Sequence, residues 1–398
     1  MQLTQDQKDL LDGSAGKGTS MAMRILVAIG DGFGADRLVP ITRAHVALSA
    51  QEADNWFADK LCAAGARCVV PTSVNPGYCI KAFREMGAVT DATSQNMQKA
   101  AEAYRALGTQ MNYCCTPYLY SNIPHRSEVV SFSESSATVY VNAVLGAYTN
   151  RESAASALCA AVTGYTPEYG MLLPKNRLGT VQIESDFQPE DPFDFALLGL
   201  AAADRLQNRI PVFTGLGKKP STEMLIALGA QLNVTGICPL FHIPGITPEA
   251  STVSEAFGGH APQEILTISQ RDIEKLQKRN QCPPGTQIDF MMLGCPHYTV
   301  QQVLQVVNAA KERLAKFPVY VFTAAAVKKK LPNGTLDMLQ NCGVTLLSDS
   351  CIDQPEAMWF LKGKIGLTDS FKCAYYPKAW GVTLYTERFE TCMEAAFG

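Results

Sequence analysis

The sequence predicts an α/β protein with mostly parallel sheets. Three observations carry this prediction. Apolar runs of strand length recur along the chain, each is followed by a segment of helical periodicity, and short Gly- and Pro-bearing loops join them. At 398 residues the chain has room for roughly two to three domains of ordinary size. No low-complexity linker or internal repeat marks a boundary, so residues 1–398 are read as one region whose internal boundaries the sequence does not mark.

The elements follow in chain order. Thr4 is placed to cap a helix that ends at Gly13, and Thr93 to cap one through Met97 and Leu107. Ser221 precedes the helical pattern of Met224 to Leu228, and Thr299 precedes that of Val300 to Leu314. The clearest strands are Cys68 to Pro71, Val181 to Glu184, Pro211 to Thr214, Ile288 to Leu293, Val319 to Thr323 and Val344 to Leu347.

Composition excludes several classes of function. Hydrophobic residues make up 47% and charged residues 18%, which is globular usage rather than disordered or coiled-coil usage. The net charge is -3, and the short basic run Lys328 to Lys330 has no aromatic residues interleaved, so nucleic acid is not an expected partner. Met1 to Gly13 is polar, and no apolar stretch approaches the roughly 20 residues of a bilayer span, so a soluble, cytoplasmic, membrane-free protein is expected. Thirteen cysteines without a secretion signal or short-domain spacing are read as thiols or ligands, not disulfides.

The glycine-rich candidates fail. Gly30-Asp31-Gly32-Phe33-Gly34 lacks the third spacing of a dinucleotide fingerprint and ends a helix rather than opening one. Gly13 and Gly18 have the interval of a phosphate loop, but Thr19 stands where its lysine is required. There is no Cys-x-x-Cys pair and no His-Glu-x-x-His motif. What remains is three cysteines in similar settings: Cys115 in Tyr113-Cys114-Cys115-Thr116-Pro117-Tyr118, Cys295 in Leu293-Gly294-Cys295-Pro296-His297, and Cys351 in Ser348-Asp349-Ser350-Cys351. Each follows an apolar run, and ligand sites of open α/β sheets lie beyond the carboxyl ends of strands. Two readings stand: three thiolates converging on an iron-sulfur cluster, or buried thiols acting as small apolar side chains.

These segments resemble the aconitase X family, a branch of the aconitase superfamily. The resemblance begins at Leu3-Thr4, runs from Gly34-Ala35-Asp36-Arg37-Leu38 to Ala44-His45, and continues in Pro71-Thr72-Ser73-Val74-Asn75-Pro76. Cys115-Thr116-Pro117-Tyr118 is followed by Glu134-Ser135-Ser136-Ala137, by the stretch from Asn142 to Ala147, and by Thr149-Asn150-Arg151-Glu152. The stretch from Phe241 to Ala250, Gly294-Cys295-Pro296-His297 and Asp349-Ser350-Cys351 complete it. The chain departs from the family pattern at Pro124-His125-Arg126-Ser127-Glu128, at Tyr148, and at Ser350.

The resemblance implies an aconitase-like fold, with several α/β/α subdomains around a central iron-sulfur cleft. It implies a dehydratase whose cluster, of unspecified nuclearity, is held by Cys115, Cys295 and Cys351. The implied substrate is a small hydroxy acid, cis-3-hydroxy-L-proline in preference to 5-phosphomevalonate, because no strongly basic constellation accompanies the cysteine loops. A non-catalytic metabolite-binding subunit with structural cysteines is the alternative of another class. Arg151 and Asn142 are candidates to hold the carboxylate, with Thr72, Ser73, Ser135 and Ser136 as hydroxyl donors. Ser135 or Ser136 as a helix cap, and Arg151 as a surface ion pair with Glu152, are the structural readings of the same residues. His297 is expected beside the cluster ligands and His242 as a structural histidine. Relatives carry the catalytic base on a small swivelling domain, for which these 398 residues leave no room, so a small partner subunit is expected to supply it.

Overall fold

The computed structural model describes residues 1–48 and 51–398, and its sheets fall into three groups along the chain. The first group contains β1 (Leu38–Pro40), β2 (Ala44–Val46), β3 (Thr72–Val74), β4 (Ser131–Phe132) and β5 (Tyr165–Pro167). β1 and β5 form an antiparallel pair, and β3-β2-β4 is a parallel sheet with β2 in the middle. The second group, β6 (Val181–Ser185), β7 (Pro211–Thr214) and β8 (Glu264–Ile268), is a parallel sheet with β6 at its centre. The third contains β9 (Phe290–Tyr298), β10 (Val319–Thr323), β11 (Val344–Ser348), β12 (Ile365–Thr368) and β13 (Thr383–Thr386), all parallel in the order β11-β10-β9-β12-β13.

Burial on both faces explains why β9 reads as a continuous apolar run, since Phe290 to Leu293 are all but inaccessible. β6 alternates instead, with Val181 and Ile183 buried and Glu184 exposed. Helices Pro192–Leu206 and Thr222–Gly236 pack together beside the second sheet, close enough that Gly199 lies against the Leu228 carbonyl. Among the described residues no helix is long and apolar enough to cross a membrane.

Several local expectations shift. The helix of residues 91–106 is capped by Thr90, whose hydroxyl accepts the Thr93 amide, so Thr93 lies inside the first turn. The helix after Thr299 stops at Ala310 rather than Leu314, because Lys311 and Glu312 turn left-handed at φ 48° and 61°. Cys68 to Pro71 is irregular, and the strand begins at Thr72. Cys295 does not follow its strand but sits within β9, just after Gly294 at φ 92°, where the ladder to β10 shifts register between Val321 and Thr323. Any Cβ on Gly294 would lie 2.1 Å from the Phe322 carbonyl oxygen, so glycine is required at this break.

Candidate active site

Two of these sheets present their carboxyl ends to one cavity of about 270 Å³. From the first sheet come Ala47 after β2, Asn75 after β3, and Ser133, Glu134 and Ser135 after β4. From the third come Cys295 and His297 on β9, Cys351 after β11, and Lys372 and Tyr376 after β12. The order of the third sheet reverses direction between β9 and β12. That reversal is the switch point where open parallel sheets leave a crevice for ligands.

The three cysteines all line this cavity, although they enter it differently. Cys115 is delivered by an extended segment alongside β3, in which the Gln110 amide donates to the Thr72 carbonyl at 2.7 Å and the Cys114 amide to the Val74 carbonyl at 3.2 Å. Cys351 is pinned to the first module by its amide, which donates to the Gly77 carbonyl at 2.8 Å. The bond from Cys295 to Pro296 is cis, and the Cys295 carbonyl accepts from the Ser370 hydroxyl that also caps the helix carrying Lys372. Two of the sulfurs accept backbone amides: Cys115 Sγ from His297 at 3.2 Å and Cys351 Sγ from Asp353 at 3.3 Å. Burial pushes the Cys115 thiol up to about 12 and raises Cys295 and Cys351 as well. Each of the three also feels a neighbouring thiol of the set, or a carboxylate, that opposes its ionisation.

Among the described residues, no three His, Cys, Asp or Glu side chains converge closely enough to hold a single metal ion. An iron-sulfur cluster places a different requirement on its donors, because its irons and bridging sulfides separate the cysteine ligands. Three thiols from separate segments, amide donors on two of their sulfurs, and a buried ammonium in the wall form a donor set that fits such a group.

The other candidates divide. Arg151 reaches the cavity rim, where one guanidinium nitrogen donates to Asn233 Oδ1 at 3.2 Å; Glu152 instead accepts from Ser156 at 2.6 Å. Ser135 lines the cavity, and Ser136 lies behind it, donating to Glu134 at 2.8 Å. Neither serine caps the helix of residues 135–140. Glu134 does, through the Ala137 amide. Thr72 and Ser73 lie outside the lining: the Thr72 hydroxyl donates to the Val70 carbonyl at 2.9 Å, and Ser73 meets His45 and Asn122 at 2.7 Å. Asn142 is also remote, with its amide occupied by Thr149, Pro239 and Arg177. His297 meets the Ser350 carbonyl through Nε2 at 2.8 Å, and it reaches Cys115 through its backbone amide rather than its ring. His242 is buried against the Arg177 carbonyl at 2.7 Å, and burial lowers its pKa.

Sequence reasoning missed three groups in the wall. Glu134 and Lys372 form a buried ion pair at 2.7 Å, and Lys372 also donates to Ser136 at 3.1 Å. Burial alone pushes the Glu134 carboxyl up, but Lys372 and its hydrogen bonds hold it below the usual carboxylate range. Asp353 lines the cavity two residues beyond Cys351, and desolvation raises its carboxyl pKa.

Residues 1–175, 179–278 and 288–398 match the first, second and third domains of aconitase X, limits that coincide with the three sheet groups. The chain is 32% identical to the phosphomevalonate dehydratase large subunit of Thermococcus kodakarensis, covering 100% of each. It is 31% identical to the cis-3-hydroxy-L-proline dehydratase of Pseudomonas aeruginosa, covering 98% of this chain and 69% of that protein. The crystal structure of Thermococcus kodakaraensis aconitase X in its holo-form has the same fold, with a TM-score of 0.90 at 32% identity and 100% of both chains covered. With three family domains in order and relatives matched along essentially its whole length, the chain belongs to the aconitase X family and is a dehydratase, a lyase.

Proposed function

We propose that this chain is the cluster-bearing part of an iron-sulfur hydro-lyase that converts cis-3-hydroxy-L-proline to pyrroline-2-carboxylate. The observation that carries the substrate choice is the charge in the cavity wall. Arg151 and Lys372 are balanced by Glu134 and Asp353, so the lining is neutral overall. A neutral lining that carries charges of both signs suits a zwitterion, whereas a substrate with both a carboxylate and a phosphate calls for an excess of cations.

Cys115, Cys295 and Cys351 are the residues that would hold the cluster, which when bound supplies a Lewis acid for the departing hydroxyl. The chain's own side chains bind and orient. Arg151, with guanidinium donors beyond the one given to Asn233, takes the substrate carboxylate at the rim. Asp353, also in the lining, is proposed to meet the ring ammonium. Fixing both ends of the ring sets the proton next to the carboxylate against the direction of hydroxyl departure. The group that removes this proton is proposed to come from a small partner subunit closing over the cavity. That arrangement is supported by the large-subunit naming of relatives matched over their full length.

The second reading, a 5-phosphomevalonate dehydratase, is favoured by that same full-length match, since the hydroxyproline dehydratase of Pseudomonas aeruginosa is covered only to 69%. The test is anaerobic reconstitution with ferrous iron and sulfide, followed by parallel assays on the two substrates with and without the co-expressed small subunit. The expected outcome is bound iron and sulfide in the wild type and loss of both in each of C115S, C295S and C351S. Turnover of hydroxyproline, not phosphomevalonate, is expected in the complex. Full iron in any of the three variants refutes the ligand set, and the reverse substrate preference refutes the substrate.

A further inference from the structure

Lys372 is the cavity's buried cation: its side chain is 8% exposed, while Arg151 lies at the exposed rim. It enters from the short helix Phe371–Tyr375 directly after β12, at the switch point shared with Cys295. Two of its three ammonium donors are accounted for by Glu134 at 2.7 Å and Ser136 at 3.1 Å. Glu134 is saturated in turn, accepting from Ser135, Ser136, the Ala137 amide and Lys372. A buried ion pair is a poor device for stability, because apolar side chains of similar size serve as well. Its position in the wall shared by Cys115, Cys295 and Cys351 therefore invites another explanation.

We infer that Lys372 is the fixed counter-charge of the three-cysteine site, held in place by Glu134 and Ser136 as positioning residues. The inference rests on the proposed cluster and adds to it the source of its electrostatic tuning. In a wall as buried as this one, one positive charge beside the thiolates favours the reduced, more negative state of a bound cluster, and one negative charge disfavours it. The Glu134–Lys372 pair is neutral as a unit, so deleting either member leaves a charge of known sign.

The test uses the full chain, reconstituted anaerobically with ferrous iron and sulfide and titrated with dithionite in the presence of mediators. Relative to wild type, K372M should shift the cluster potential negative and lose iron to a chelator several-fold faster. E134Q should shift the potential positive. The double variant should return close to the wild-type value, and K372R should stay near it. A pair that mattered only for packing would move both single variants in the same direction, and that result, or no shift in either, overturns the inference. Should K372M fail to fold, E134Q decides alone: a positive shift supports the inference, and no shift or a negative one overturns it. A wild-type chain that takes up no iron and sulfide would instead overturn the cluster reading itself, an outcome separate from these.

Discussion

His45 should remain uncharged far below the pH at which a histidine usually protonates, and acid should destabilise the protein through it. The ring is fully buried at the middle of the β3-β2-β4 sheet, 5.5 Å from the Phe132 ring. Its Nδ1 meets Ser73 Oγ at 2.7 Å and its Nε2 meets Asn75 Oδ1 at 3.3 Å. Burial lowers its pKa from 6.5 to about 4, against the opposing pull of Glu134. Below pH 6.5 the unfolded chain accepts a proton that the folded chain refuses. Stability from this residue is therefore complete above 6.5 and is lost as the pH falls toward 4. At about 1.4 kcal/mol per pH unit, that interval is worth about 3 kcal/mol. Two measurements check it. The imidazole resonance of His45, assigned with a His45→Gln variant, should titrate near 4. The stability gap between wild type and that variant, read by denaturant unfolding, should narrow by about 3 kcal/mol between pH 7 and pH 4. A midpoint near 6.5, or parallel stability curves, would refute the reasoning. Because Asn75 lines the cavity, the same protonation should disturb substrate binding.

Gly294→Ala should cost at least about 2 kcal/mol, since it combines a left-handed backbone with a collision against the Phe322 carbonyl; it should also lower iron retention at the adjacent Cys295, as iron analysis after gel filtration would reveal. Arg151→Ala should raise the KM of the assembled enzyme roughly tenfold to a hundredfold, the range of one charged hydrogen-bonding contact, with cluster content unchanged. An unaltered KM would return Arg151 to the role of a surface residue tied to Asn233.

The parallel α/β class was legible because strands such as β9, buried on both faces, carry unbroken apolar runs, while β6 shows the alternation of a half-buried strand. The strand beginning at Thr72 was misplaced because its three residues, Thr-Ser-Val, include two polar side chains that find buried partners, something composition does not reveal. The break in β9 was invisible for a different reason. It depends on how closely Phe322 of a neighbouring strand approaches Gly294. The three cysteines could be singled out by their settings after apolar runs, but Lys372 could not: its partner Glu134 is 238 residues away, and neither residue belongs to a motif that announces a pair. Thr72, Ser73 and Asn142 show the opposite limit. Their positions in resembling segments say nothing about which way a side chain faces, and hydrogen bonds within the fold occupy all three.

The cavity is bounded by the first and third modules, and the contacts that join them are the contacts that shape it. The Cys79 amide donates to Ser350 Oγ at 2.9 Å, Cys351 donates its amide to Gly77, His297 gives its amide to the Cys115 sulfur, and Gln354 reaches the Leu48 carbonyl at 3.2 Å. Each tie begins or ends within three residues of a cysteine of the set or of a cavity-lining residue, so docking the modules and setting the sulfur positions are one event. The second module contributes at one edge, where Asn233 touches both Arg151 and the Ser135 carbonyl. Arg151 thus takes its orientation from a module that supplies none of the three cysteines. This division of labour leaves the cysteine geometry fixed by two opposed sheets, while the residue proposed to hold the carboxylate is steered from a third, and substitutions near Asn233 can alter substrate choice without disturbing the sulfur ligands.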